Sequence, residues 1–227
     1  GYRSGGDVGQ QVVVPALRAQ GIDLNRLVIS HQDNDHMGGA KSVLQAHPNA
    51  DVLASFESSD TWAGRQSARC HVGQAWVWDG VPFEVLHPVE GQPQAGVRAG
   101  NAHSCVLKVG IAERSVLLTG DIGLAQEAEI LARDPDLRTQ ILVAAHHGSA
   151  TSSGEAWMQQ LRPFQTWVQA GYLNPYRHPA KSVTRRWDEA QLDWVSTIAC
   201  GALTWKSMEP DHPQCWREKN HRYWFRA

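Results

Sequence analysis

The chain has 227 residues, 42% of them hydrophobic and 19% charged, with a formal net charge of −2. That length fills one domain well and is short for two, and the composition is that of an ordinary globular chain, not a disordered or fibrous one. No run approaches the roughly 18 apolar residues of a membrane span, and a slight negative charge gives no global basic field of the kind a high-affinity nucleic-acid-binding module uses.

The pattern predicts a helix over Val8–Gln20, with Asp7 as its cap, Pro15 as a kink and Gly21 as its stop. A strand follows at Arg26–Ser30, a short helix at Gly38–Ala46, a strand at Asp51–Ala54 and a loop through Thr61–Ala68. Ala75–Trp78 and Pro82–Leu86 read as a hairpin across Asp79-Gly80, with Trp76 and Trp78 on one sheet face. Gly91–Gly100, rich in Gly, Gln and Pro, is a loop, and Cys105–Val109 with Ser115–Thr119 form a second hairpin. Further on come a helix at Gly123–Arg133, a strand at Gln140–Ala144, a helix at Gly154–Leu161, a strand at Thr166–Ala170 and a helix covering Ser182–Ala190. Val195–Ala199, Ala202–Lys206 and Arg222–Phe225 are late strands. The pattern alone gives mixed α/β.

The first strand runs straight into His31-Gln32-Asp33-Asn34-Asp35-His36-Met37-Gly38-Gly39, four potential metal ligands within six residues. His31 and Asp33 leave the same face of an extended backbone, and Asp35 and His36 follow where the chain turns toward two glycines. Capping of the next helix by Asp35 or His36 is the plainer explanation, but a cap does not call for four ligands in alternation. Two more apolar runs end alike: Val116–Thr119 leads to Gly120-Asp121, and Ile141–Ala145 leads to His146-His147-Gly148-Ser149. Three buried-strand candidates thus deliver Asp or His at their C-terminal ends, where an α/β sheet opens into a crevice.

Four cysteines, Cys70, Cys105, Cys200 and Cys215, include no Cys-x-x-Cys pair, which argues against a zinc ribbon or thioredoxin motif and makes buried free thiols the default. Most of the ten tryptophans read as core or sheet-edge packing. His47, His71 and His212 have no companion pattern and read as ordinary packing or surface residues, and His87, ahead of a proline, as structural.

This series resembles the metallo-β-lactamase superfamily and, within it, the C-terminal domain of the ComEC family of DNA-internalisation competence proteins. The finer resemblance rests on Arg18–Ile22 leading to Leu27–His31, on Trp76–Val81 leading to Leu86-His87-Pro88, and on Asn101–Leu107. It continues through Leu118-Thr119-Gly120-Asp121, His146-His147-Gly148-Ser149 and Asn174-Pro175-Tyr176-Arg177-His178-Pro179. Asp33 stands where the superfamily usually has a second histidine, as is common in the competence branch. The domain of that family also opens with strands that this chain lacks. It begins at Gly1-Tyr2-Arg3 with no initiator Met, and is expected to be a single domain, 1–227, cut from a larger protein.

The resemblance implies an α/β fold, the αββα sandwich of the superfamily without its first strands, and a dinuclear hydrolase. It places His31 and Asp33 on one metal, Asp35 and His36 on the other, and Asp121 between them. His146 completes the second metal in preference to His147, which ligates, orients a ligand or meets substrate; His103 sits where a further ligand to the first metal often stands. Asp35, Asp121 and His147 are the expected catalytic residues. Because Asp33 shifts the donors toward oxygen, manganese is favoured over zinc for the two divalent ions, and no small organic cofactor is expected. Arg177, His178, Lys181 and Ser149 are candidates for substrate binding, Arg being a fork matched to phosphate; the plainer reading of Tyr176–Arg186 is a solvated helix face. Ser149, Thr151, Ser152 and Ser153 precede the helix Gly154–Leu161, whose N-terminus is a further place for a substrate anion. The implied function is a DNA phosphodiesterase that degrades the strand not imported during natural transformation, single- or double-stranded DNA being its substrate and the channel part of the same parent its partner. Alternatives are hydrolysis of a small ester, lactone or β-lactam, and a non-catalytic domain that guides DNA. The parent would lie in the bacterial inner membrane with this domain in the periplasm, where disulfides persist; Cys70–Cys105 and Cys200–Cys215 are then the alternative to free thiols.

Overall fold

A computed structural model describes residues 6–58, 62, 64–91, 100–111 and 114–220. The chain divides into two compact units, Gly1–Gln74 with His87–Cys105 and Ala75–Leu86 with Val106–Ala227. Among the described residues no helix is long and apolar enough to cross a membrane. Residues 92–99 of the expected Gly/Gln/Pro-rich loop and the strand expected over Arg222–Phe225 lie outside the described residues.

In the first unit Asp7 caps as expected, its Oδ1 accepting from the Gln10 amide at 3.1 Å. The helix it starts is not uniform. Gly9–Val13 forms a wide π turn, continued by α1 over Val14–Ala19, with Pro15 in the first turn of α1. The backbone stays helical through Val13 and Val14, so Pro15 lies within a continuous helix, and the widened turn just before it is how that helix accommodates the missing N–H and the ring. Gly21, at φ +65°, ends the helix. Strand β1 (Arg26–Ile29) is followed by a single turn α2 (Asn34–Met37) and by α3 (Ala40–Ala46); β2 (Asp51–Ala54) then pairs in parallel with β1 on one side and with β3 (Ala68–Arg69) on the other. Ile29, Leu44, Val52, Ala54, Phe56 and Trp62 form the core of this unit. Cys70 and Cys105 are bridged, with Cα atoms 6.0 Å apart.

The second unit holds a seven-stranded sheet. Strands β4 (Ala75–Trp78) and β5 (Val81–His87) make the expected hairpin, its turn residues Asp79 and Gly80 both at positive φ. Trp76 and Trp78 lie on one face, their rings 5.8 Å apart, with Phe83 stacked on Trp76. Strands β6 (Val106–Ile111) and β7 (Arg114–Leu118) form the second hairpin; α4 (Leu124–Arg133), β8 (Ile141–Val143), α5 (Glu155–Leu161), β9 (Gln165–Val168), α6 (Lys181–Glu189) and β10 (Trp194–Ser196) follow. The sheet order is β10-β9-β8-β7-β6-β5-β4, parallel from β7 through β10. Fully buried Leu117, Ile130, Leu142, Trp157, Leu161 and Trp187 anchor its core.

The late elements differ from expectation. The strand expected over Val195–Ala199 stops at Ser196, whose Oγ accepts from the Ala199 amide and starts α7 (Thr197–Cys200). This is a serine N-cap overriding β-branched propensity. Ala202–Lys206 narrows to β11 (Leu203–Thr204), paired antiparallel with β12 (Gln214–Cys215), ahead of the short α8 (Trp216–Lys219). Cys200 and Cys215 are bridged, so among the described residues no thiol is free.

Two local constraints generate predictions. Gly9 and Gly39 meet backbone to backbone: a Cβ on Gly39 would fall 2.5 Å from the Gly9 nitrogen, and one on Gly9 would fall 2.1 Å from the Gly39 oxygen. The second glycine after the ligand-rich turn therefore seats the π turn. Gly39→Ala is expected to destabilise the protein by about 1–3 kcal/mol, the usual cost of overpacking, as read by denaturant unfolding; an unchanged midpoint would show that the two backbones can separate freely. In the second unit Glu127 is buried, and its carboxylate accepts from the amides of Ser153 at 2.6 Å and Gly154 at 2.8 Å. Burial raises its pKa above the ordinary 4.5, against the pull of those two amides and Arg186. The native state therefore holds the proton more tightly than the unfolded chain does. Its contribution to stability is complete below the ordinary value and fades as pH rises through the raised native one. The Tm difference between the parent and Glu127→Gln should accordingly shrink across that window; a pH-independent difference would refute the shift.

Candidate metal centre

In the first unit, β1 delivers Ser30 and the buried His31 at its C-terminal end. Asp33 is extended (φ −89°, ψ 149°) and occupies the N-cap position of α2 without a side-chain cap hydrogen bond, so the carboxylate there is not spent on capping. Asp35 and His36 ride on α2 itself, a single helical turn in place of the irregular turn expected. His31 Nε2 faces Asp33 Oδ2 at 3.4 Å, and His36 Nε2 faces Asp35 Oδ2 at 3.7 Å. The two imidazole centroids are 4.1 Å apart.

What turns those nitrogens toward the carboxylates is a residue the sequence did not single out as part of the site. Ser30 Oγ lies 3.1 Å from His31 Nδ1 and 3.0 Å from His36 Nδ1, and Ser104 Oγ is 3.3 Å from His31 Nδ1. A hydroxyl oxygen has two lone pairs and can accept an N–H from both rings. In the tautomer where both Nδ1 atoms donate to that oxygen, both Nε2 atoms carry lone pairs on the carboxylate side, as a metal ligand needs. A serine directly before the first histidine was the only available signal. His103 lies in a short turn, Asn101–His103, just before Ser104; among the described residues no hydrogen bond or ion pair joins its ring to the other candidates. His87 is structural, as expected: it is buried, with Nδ1 on the Ser104 carbonyl at 2.9 Å.

In the second unit, parallel strands β7 and β8 end side by side. Thr119 Oγ1 donates to the Val143 carbonyl at 2.8 Å and the His146 amide to the Gly120 carbonyl at 3.0 Å, fixing Asp121 beside the paired histidines. His146 and His147 both adopt left-handed backbone (φ 50° and 56°), a conformation costing about 1–2 kcal/mol for each non-glycine residue. The strain has a geometric product: His146 Nε2 and His147 Nε2 lie 3.8 and 3.7 Å from the same atom, Oδ2 of the buried Asp121. Donors bound to one small cation at about 2.0–2.2 Å sit somewhat over 3 Å apart, so in both units the nitrogen–oxygen pairs fit a shared divalent ion after slight tightening. His147 Nδ1 donates to the Gln169 carbonyl at 2.8 Å, which fixes its Nε2 lone pair; His146 Nδ1 lies 3.4 Å from Thr151 Oγ1.

His178 joins this cluster, its ring 5.8 Å from that of His146 and 6.2 Å from that of His147. Burial first, then the two neighbouring histidines, hold its pKa below the usual histidine value, with Asp121 pulling the other way. Gly148 makes the approach possible: at φ +78°, a Cβ there would lie 2.8 Å from Pro179 Cβ. Ser149 is buried and bonded to Thr151. The start of α5, expected to receive a substrate anion, receives Glu127 instead, whose carboxylate occupies the Ser153 and Gly154 amides. Arg177 and Lys181 are exposed, whereas Arg185 pairs with Glu189 and Arg186 donates to the Ser153 carbonyl.

The sequence pattern of the metallo-beta-lactamase superfamily matches residues 4–165. The chain belongs to that superfamily. Recombination protein 2 of Haemophilus influenzae is 37% identical over 182 residues, 80% of this chain and 22% of that protein. Competence protein ComA of Neisseria gonorrhoeae is 35% identical over 196 residues, 86% of this chain and 27% of that protein. The chain thus spans about a quarter of the length of these relatives. A variant of the β-hydroxylase CmlA has a TM-score of 0.50 at 10% identity, covering 77% of this chain and 43% of that one, a likeness of fold alone. The protein is therefore a metallo-β-lactamase-superfamily domain, from a class of metal-dependent hydrolases, homologous to competence proteins.

For a domain of this superfamily the Ser30 arrangement yields a direct test. Ser30→Ala removes the shared acceptor of both imidazoles while keeping every ligand, and is expected to weaken metal affinity roughly 10- to 100-fold, the usual effect of losing an orienting partner. Metal titration of the folded variant reads it; affinity equal to the parent's would show that the rings are oriented by other means.

Proposed function

We propose that the two units act as one metallo-β-lactamase-like domain, a dinuclear phosphodiesterase acting on DNA during its uptake. The observation that carries this is the pairing of imidazole Nε2 with carboxylate oxygen four times over, His31–Asp33 and His36–Asp35 in one unit and His146–Asp121 and His147–Asp121 in the other. We assign His31 and Asp33, with His103 as a further donor, to one divalent ion, and Asp35 and His36 to a second. In the other unit, Asp121 would supply a carboxylate donor and His147, whose Nδ1 is bonded to the Gln169 carbonyl, an imidazole donor, with His146 beside it. Two such ions, when bound, would supply the acidity that turns water into a nucleophile and the positive charge that an in-line displacement develops against. Oxygen donors make up half of the His31/Asp33/Asp35/His36 set, favouring manganese over zinc.

The chain's own residues do the rest. Ser30 and the Gln169 carbonyl hold the imidazoles in one tautomer; Arg177 and Lys181 offer the exposed positive charge that a phosphodiester backbone requires. His178 stands beside the histidine pair, where a phosphate oxygen could accept from it. Homology to competence proteins supports DNA as the substrate, cut on the strand that is not imported, and supports a parent protein in the inner membrane with this domain on the periplasmic side. The two disulfides agree with an oxidising compartment.

Asp35→Ala should abolish manganese- or zinc-dependent cleavage of labelled single- and double-stranded DNA while leaving the circular dichroism spectrum and Tm near those of the parent, since Asp35 is exposed. Full cleavage by a folded variant would overturn the dinuclear mechanism.

A further inference from the structure

The segment Gly171–His178 carries three large apolar side chains in water: Tyr172, Leu173 and Tyr176 are 78%, 82% and 66% exposed. Surface apolar residues are common singly, but three within five residues of a well-ordered loop call for a partner. The loop is ordered by one side chain. Asn174 Nδ2 donates to the carbonyls of Gly171 at 3.0 Å and His178 at 2.8 Å, and its Oδ1 accepts from the His178 amide at 2.8 Å. Leu173 and Arg177 take left-handed backbone on either side of this knot. The result holds the Tyr176 ring nearly parallel to that of His178, with centroids 5.7 Å apart and planes 16° from parallel. The loop leaves β9 directly after Gln169–Ala170, the carbonyl that orients His147 being the first of these, and returns at His178 against His146 and His147.

We propose that Tyr176, stacked on His178 and held by Asn174, is a platform for an unpaired nucleobase, so that the site takes single-stranded nucleic acid; this rests on the phosphodiesterase reading above. A planar aromatic face with exposed cations close in sequence, Arg177 next to it and Lys181 at the start of α6, matches the two chemistries of a nucleotide: a flat base and an anionic phosphate. His178 lies between the platform and the histidine pair, so a strand whose base rests on the outer face of Tyr176 would run its neighbouring phosphodiesters toward His146 and His147. Bases inside a duplex are stacked on each other and offer no such face. The preformed loop also means that little conformational entropy is lost when the base docks.

The test is equilibrium binding of the whole chain, by fluorescence anisotropy, to a single strand, to an abasic strand of the same length and to a duplex, with cleavage of each followed in parallel. Tyr176→Ala should lose roughly tenfold or more in affinity for the base-bearing strand, since stacking on an aromatic ring is worth about 1–3 kcal/mol per base. Tyr176→Phe should keep the parent's affinity. Binding to the abasic strand and to the duplex should be the same for all three proteins, and the salt dependence should not change, because no phosphate contact is removed. If the parent cleaves DNA but Tyr176→Ala binds the base-bearing strand equally well, the platform is refuted and the nuclease reading stands. An equal loss on the abasic strand would also refute it, by showing that Tyr176 acts through the loop or the backbone. If the parent neither binds nor cleaves any of the three, the nuclease reading itself falls.

Discussion

An imidazole presents a lone pair in a fixed direction only when its other nitrogen is occupied, and both units of this protein are organised around meeting that condition. In the first, one hydroxyl, Ser30 Oγ, serves two rings. In the second, the backbone carbonyl of Gln169 serves His147. Each of these acceptors is placed by a strand end. Ser30 directly follows β1, and its own carbonyl accepts from the Cys105 amide at 2.9 Å, so the bridge between Cys105 and Cys70 ties the acceptor to the covalent framework of its unit. Gln169 directly follows β9, which is hydrogen-bonded in parallel to the strand that delivers the histidines. The histidines are therefore oriented by the parts of the fold least free to move.

Holding ligands this way has a cost that the surrounding structure must offset. Two consecutive histidines in left-handed backbone oppose folding by about 1–2 kcal/mol each. The amide of His146 is bonded to Gly120 and its carbonyl to Ser149, and Gly148 packs against Pro179 with no room for a side chain. Downstream, the buried Glu127 carboxylate takes up the Ser153 and Gly154 amides, pairing two backbone donors at the end of the turn. The core beneath, with Trp157 and Trp187 fully buried, supplies the apolar burial against which this strain is small.

Much of the arrangement was legible in the sequence because strand, ligand and glycine occur in fixed succession. The apolar runs ending at His31, Asp121 and His146 are strands or strand ends, both hairpins are present, and the late strand at Val195 begins where its β-branched residues suggest. The departures have local physical reasons. Ser196 caps a helix and shortens that strand; the π turn before Pro15 depends on a backbone approach between Gly9 and Gly39, far apart in sequence, that no local pattern encodes. Ser30 went unremarked because a serine ahead of a histidine is common, and its value appears only when two rings converge on it. Treating the start of α5 as an anion site failed because the anion, Glu127, comes from a different helix. The pairing of Cys70 with Cys105 is likewise tertiary information, left open against free thiols by spacing alone.

The charge distribution follows the same separation of the general from the local. With a net charge of −2 the chain has no overall field for a polyanion, so on the proposed reading the attraction would come from a few local cations. The basic segment contains four in sequence, yet Arg186 is tied to the Ser153 carbonyl and Arg185 to Glu189, leaving Arg177 and Lys181 exposed beside the histidine cluster. Two cations give a modest, salt-sensitive attraction with no power to orient a flexible strand. On the phosphodiesterase reading, these cations would bring a phosphate near, and the planar rings of the second unit, His147 held by the Gln169 carbonyl and Tyr176 by the loop that Asn174 ties, would decide how it lies.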